Sequence, residues 1–77
     1  MRSKSNPQAT ERFAENLRKR RKELGLTQEG LAEICDLHRT EIGLLEGRKR
    51  SPRLHTIVAI ARGLELDYAG ELLDGIG

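Results

Sequence analysis

The run Gln28-Glu29-Gly30-Leu31-Ala32-Glu33-Ile34-Cys35-Asp36-Leu37-His38-Arg39-Thr40-Glu41-Ile42-Gly43-Leu44-Leu45-Glu46-Gly47 decides the fold. Its apolar spacing predicts a helix over 28–35, a tight turn at Asp36-Leu37, and a second helix over 39–46. Two helices that cross so closely need a small residue at the fifth position, where Ala32 stands. Leu31, Cys35, Leu37, Ile42 and Leu45 occupy the positions that must be apolar to lock the crossing. The ninth position falls in the turn, where a positive φ favours glycine, and Asp36 tolerates that conformation at some cost. Thr27 is the expected N-cap of the first helix, although Gly30 removes the reciprocal capping-box residue.

Working outward, Phe13, Ala14, Leu17, Leu24 and the stem of Arg21 form one face of a helix that starts after Thr10 and stops at Gly25. Residues 1–9 are polar and aperiodic and read as a flexible arm, leaving one domain over 10–77. After the run, Gly47 is the expected stop of its second helix, and residues 48–53 form a basic loop. A fourth helix over 54–63 places Leu54, Ile57, Ile60, Ala61 and then Leu64 on one side. Asp67 is positioned to cap a short fifth helix that carries Leu72 and Leu73 and closes at Gly75. The expected fold class is therefore all-α, a compact five-helix bundle containing a helix-turn-helix.

Composition narrows the function. Aromatic residues are scarce and β-branched runs missing, which disfavours a sheet. The single Cys35 excludes an internal disulfide, and no apolar stretch is long enough to span a membrane, so a cytoplasmic chain is expected. Residues 1–53 hold 13 of the 14 Lys and Arg, whereas the remainder sets Arg62 against Glu65, Asp67, Glu71 and Asp74. One end suits a polyanion and the other does not. Cys35-x-x-His38 is half of a metal-ligand spacing with no second pair, and His55 has no nucleophile near it in sequence. No catalysis, metal, cofactor or small-molecule ligand is expected.

Taken together, Leu24-Gly25-Leu26-Thr27-Gln28-Glu29, Leu31-Ala32, Arg39-Thr40-Glu41-Ile42, Leu45-Glu46 and Lys49-Arg50-Ser51-Pro52 resemble the phage-repressor or Cro-like (XRE) helix-turn-helix family. The likeness covers Phe13 to about Leu73, and Leu37–Leu66 is similar to controller proteins of restriction–modification systems. The chain departs from the family pattern at Gly30, at Asp36 and in the order Gly47-Arg48. The resemblance implies a transcriptional regulator that binds double-stranded DNA as a homodimer on a two-fold operator, its 39–46 helix in the major groove.

On that reading Arg39, Thr40 and Leu44 meet base edges, Leu44 as an otherwise wet side chain facing a thymine methyl. Gln28, His38, Gly43, Arg48, Lys49 and Arg50 meet the DNA backbone. Arg21 and Glu46 pair as a structural salt bridge, and Tyr68, Leu72, Leu73 and Ile76 form the dimer interface. The same fold also serves as a protein-interaction module, such as an antitoxin or adaptor, and this is the alternative reading.

Overall fold

The computed structural model describes residues 7–75. Four α-helices, α1 (Pro7–Glu23), α2 (Gln28–Cys35), α3 (Arg39–Glu46) and α4 (Leu54–Gly63), precede a 3₁₀ turn over Ala69–Leu73. The domain is all-α, and α2 and α3 make the helix-turn-helix. α1 begins at Pro7, ahead of the expected start after Thr10. Proline has no N–H to leave unpaired in a first turn and its fixed φ suits that position. The remainder of the expected arm, residues 1–6, lies outside the described residues.

The core is aliphatic apart from Phe13. α1 contributes Phe13, Ala14 and Leu17, α2 Leu31 and Ala32, α3 Ile42 and Leu45, and α4 Ile60 and Ala61, joined by Leu64 and Leu72. With Cys35 and Ile57 packed against them, spacings of three and four put one stripe of each helix inward. α2 packs on α3 and α4, α1 on α3 and the 3₁₀ turn, and α4 on that turn as well. Gly63 lies where α4 meets α2, and a Cβ there would stand 2.5 Å from Cys35 Sγ. Among the described residues no helix is long and apolar enough to cross a membrane.

All four helices end in the same way. The amides of Gly25, Asp36, Arg48 and Glu65 donate to the carbonyls of Lys22, Glu33, Leu45 and Arg62, and the next amide in each case, from Leu26, Leu37, Lys49 and Leu66, reaches back to Arg21, Ala32, Leu44 and Ala61. These paired bonds define a Schellman ending, which requires one residue in the left-handed region. That residue has φ 72° at Gly25, 59° at Asp36, 62° at Arg48 and 59° at Glu65. Gly47, the expected stop of α3, instead has φ −83°, and the left-handed position falls on Arg48. Leu26, Leu37 and Leu66 also pack on the core, supplying the apolar contact that accompanies such endings. Lys49 takes the equivalent place after α3 and is exposed.

Three further expectations change. Leu54 is 77% exposed, not part of the α4 core face, and Thr56 is buried at 5%. A side chain in the first helical turn leans back toward the helix start, so Leu54 projects beyond the core. The fifth element is a 3₁₀ turn, too short to sustain α-helical bonding. It is capped by Glu71, whose Oε2 accepts from the amides of Asp67 at 3.0 Å and Tyr68 at 3.4 Å, not by the Asp67 side chain. Finally, Leu72 is 1% exposed and belongs to the protomer's own core. Asn16 fixes it there by donating to the carbonyls of Leu72 at 2.9 Å and Asp74 at 3.0 Å.

Candidate nucleic-acid interface

The helix-turn-helix is braced from behind by a buried ion pair. Arg21 Nε donates to Glu46 Oε2 at 2.6 Å and its Nη2 to Glu46 Oε1 at 3.0 Å, while Nη1 donates to the Leu26 carbonyl at 2.7 Å. The two side chains are only 10% and 5% exposed. Gln28 Nε2 completes the cluster with a 3.0 Å bond to Glu46 Oε1. Burial by itself pushes the Glu46 carboxyl up, but the hydrogen bonds from Arg21 and Gln28, with the charges of Arg21 and Arg18, hold it below the ordinary glutamate range. The Glu46 hydrogen bond conversely raises Arg21 against the opposing effect of burial. The ends of α1 and α3 and the start of α2 are thereby tied at one charge-assisted junction.

The outer face is open. Thr27 caps α2 by accepting from the Gly30 amide at 2.9 Å. His38 caps α3 in an unusual manner: Nδ1 accepts from the Thr40 amide at 3.2 Å and lies 2.8 Å from the Thr40 hydroxyl. Imidazole replaces the short oxygen side chain that ordinarily does this, which leaves Nε2 pointing away from the helix end. Arg39 stands on the first turn of α3, and its Nη1 donates to Glu29 Oε2 at 3.1 Å with both side chains 71% exposed. Leu44 is half-buried, not wet, and the ending of α3 brings the Lys49 amide back onto its carbonyl. The Gln28 amide lies over Gly43, where a Cβ would meet Gln28 Oε1 at 3.4 Å.

The loop after α3 follows a fixed path. Arg48 donates to Glu11 at 3.1 Å, the Thr10 and Ser51 hydroxyls are 3.3 Å apart, and Arg50 donates to Glu41 at 2.6 Å. Three arginines on this face therefore already hold carboxylates, from Glu29, Glu11 and Glu41. Sequence reading missed Glu29 and Glu11 as partners, because pairs separated by 10 and 37 residues become neighbours only once α1, α2 and α3 are packed. A separate cleft between the starts of α3 and α4 is lined by His38, Glu41, Arg50, Arg53, His55 and Thr56. At the far end of the chain Tyr68 and Leu73 are 65% and 41% exposed, while Ile76 lies outside the described residues.

Cys35 is half-buried against α4, and burial pushes its thiol up, opposed by the backbone hydrogen bond from Gly63. It is a packing residue. Among the described residues no group of three or more His, Cys, Asp or Glu is gathered to hold a metal.

The family model HTH_3, helix-turn-helix, matches residues 17–70. The chain belongs to this helix-turn-helix family. Within it, the chain is 46% identical over 52 residues to control protein C.SmaI of Serratia marcescens, an alignment spanning 68% of this chain and 62% of that protein. The helix-turn-helix chain also superposes on the hypothetical transcription factor NHTF from Neisseria with a TM-score of 0.82 at 30% identity, covering 95% of this chain and 84% of the other. The restriction-modification controller protein C.AhdI from Aeromonas hydrophila superposes with a TM-score of 0.78 at 33% identity, over 82% and 94% of the two chains. It is thus an XRE/Cro-like helix-turn-helix member related to restriction-modification controller proteins, a non-catalytic family.

Proposed function

We propose that this chain is a sequence-specific regulator that binds double-stranded DNA as a homodimer on a two-fold operator, with α3 in the major groove. The observation that carries this reading is the exposed first turn of α3, bearing Arg39 and Thr40, on a helix held from behind by Arg21, Glu46 and Gln28. Reading a groove needs a rigid inner face and a free outer one. The guanidinium of Arg39 offers two donors to guanine O6 and N7, and an exposed pair such as Arg39–Glu29 costs little to exchange for them. Thr40 supplies one hydrogen bond or a methyl contact, and the half-buried Leu44 presents its remaining edge to a thymine methyl.

Gln28, at the positive end of α2 and oriented by Glu46, suits a backbone phosphate. His38, Gly43, Arg48, Lys49 and Arg50 add contacts that fix register without reading sequence. Arg48 and Arg50 do so by trading Glu11 and Glu41 for phosphates, which trims affinity for arbitrary DNA. One α3 reads only a few base pairs, so two copies are needed for a useful specificity ratio. The second copy meets the first through the acidic end, where Tyr68 and Leu73 are exposed, with Ile76 beyond them in sequence. The names of the relatives, a control protein and a transcription factor, support a regulatory role.

The test is the salt dependence of duplex binding. Affinity should fall steeply with salt, and replacing Arg48, Lys49 and Arg50 by Ala should reduce the log–log slope by about one per lost phosphate contact. An unchanged slope contradicts the assignment of the loop.

A further inference from the structure

The side-chain amide of Asn16, on α1, is directed at a distant part of the chain. Its Nδ2 donates to the carbonyls of Leu72 at 2.9 Å and Asp74 at 3.0 Å, 56 and 58 residues away. We propose that Asn16 is a positioning residue for self-association: its two hydrogen bonds bracket Leu73 and hold that side chain outward, toward a second copy of the chain. The inference rests on the homodimer reading above and adds to it the residue that orients the contact.

The segment that carries Leu73 does not hold its own shape. Within the 3₁₀ turn the Glu71 amide reaches the Tyr68 carbonyl at 3.2 Å and the Asp74 amide the Glu71 carbonyl at 3.5 Å, and bonds of this kind are poorly aligned. Leu72 anchors the turn in the core at 1% exposure, but a single apolar anchor fixes depth and leaves rotation about the backbone free. Tying the carbonyls on both sides of Leu73 removes that rotation and leaves its side chain 41% exposed beside the buried Leu72. The tie belongs to a stripe, because Arg12, Asn16 and Arg20 recur every four residues along one face of α1. Arg20 Nε donates to the Leu64 carbonyl at 3.0 Å, and Arg12 lies against Gly75, where a Cβ would stand 2.9 Å from its Nε. Glu71 joins the amides of Asp67 and Tyr68 to the same segment, so the exposed Tyr68 ring moves with Leu73.

The chemistry of the tie selects asparagine. Both partners are carbonyl oxygens, which only accept, so the side chain must offer two donors on a short stem. Aspartate offers none when ionised, and Glu71 and Asp74 already line the cleft beside it. Asparagine is also a weak helix former, yet it stands inside α1, so alanine at this position favours the helix while removing both ties. Two neutral hydrogen bonds are worth about ten- to a hundredfold in an equilibrium, and the share expected in self-association is about tenfold.

The experiment compares the wild type, Asn16→Ala, Asn16→Asp, Leu73→Ala and the Asn16→Ala/Leu73→Ala double variant by sedimentation equilibrium. The same proteins are titrated with a two-fold duplex that the wild type selects from a random pool, and with that duplex after one half is scrambled. Asn16→Ala is expected to keep its helical signal, to self-associate about tenfold more weakly and to lose affinity for the two-fold duplex, with half-site affinity unchanged within about twofold. Asn16→Asp should lose more, and the double variant no more than the larger single loss, because Asn16 acts through Leu73. Unchanged self-association in Asn16→Ala, additive losses in the double variant, or equal losses on half-site and two-fold duplexes overturn the proposal and leave the dimer reading intact. Loss of the helical signal in Asn16→Ala makes Asn16 a residue of the fold and overturns it likewise. A wild type that stays monomeric at high micromolar concentration and selects no two-fold duplex overturns both.

Discussion

At the scale of single residues, the Arg21–Glu46–Gln28 cluster decides how well α3 is held. Its charges are nearly out of water and held by a bidentate contact and a third hydrogen bond from Gln28, so loss of one partner strands the other. Arg21→Ala is expected to cost about 3–5 kcal/mol, and a double-mutant cycle with Glu46→Ala should show strong coupling in denaturant unfolding. The pH dependence follows from the depressed Glu46 carboxyl. Its contribution is complete above the ordinary glutamate value of about 4.3 and is lost as the pH falls through the lower folded value. The stability gap between wild type and Glu46→Gln should therefore be constant near neutrality and narrow in acid below about pH 4, measurable by urea titration at several pH values. The third member, Gln28, shows why the sequence alone understates this cluster. It reads as a phosphate ligand at a helix start, and nothing local signals that its amide is also oriented by a carboxylate 18 residues away.

Helices α2, α3 and α4 were legible in the sequence because a capping Thr27, an aliphatic stripe and the turn at Asp36 all agree. Their endings were less so. Sequence reading looks for glycine at a left-handed terminus, and here only α1 supplies one, while Asp36, Arg48 and Glu65 take the same conformation. Asp36→Gly and Glu65→Gly should each raise stability by about 0.5–1 kcal/mol, the relief of left-handed strain exceeding the entropy that glycine loses. Arg48→Gly should stabilise the fold likewise while weakening DNA binding, a separation visible by comparing melting temperature with affinity. Where α4 meets α2 the requirement is the reverse. Gly63→Ala puts a methyl against Cys35 Sγ and should destabilise by about 1–3 kcal/mol, with Cys35→Ala restoring part of the loss. Additive effects in that pair would contradict the packing described.

Across the whole molecule, the segregation of charge was readable as a basic half and an acidic end, but the role of the last apolar residues was not. Leu72 reads as surplus surface on a short terminal helix, yet α1 and α4 leave a groove that it fills, and periodicity in five residues cannot show this. Tyr68 and Leu73 remain exposed, and on the proposed dimer Leu73→Glu should shift sedimentation toward monomer and lower affinity for a two-fold site more than for a half-site. Equal effects on both sites would place the interface elsewhere. The three carboxylates that pair with arginines on this face bear on the whole surface as well: each offsets a cation that would otherwise bind any phosphate, so specificity must come from base contacts more than from bulk charge. Selection of bound duplexes from a random pool, for the wild type and for Arg39→Ala, tests that most directly. The wild type should enrich a two-fold symmetric site with half-sites about 34 Å apart, and Arg39→Ala should lose preference at one guanine per half-site at a cost of about 1–3 kcal/mol; no enriched sequence, or a uniform loss across all sequences in Arg39→Ala, would contradict the account.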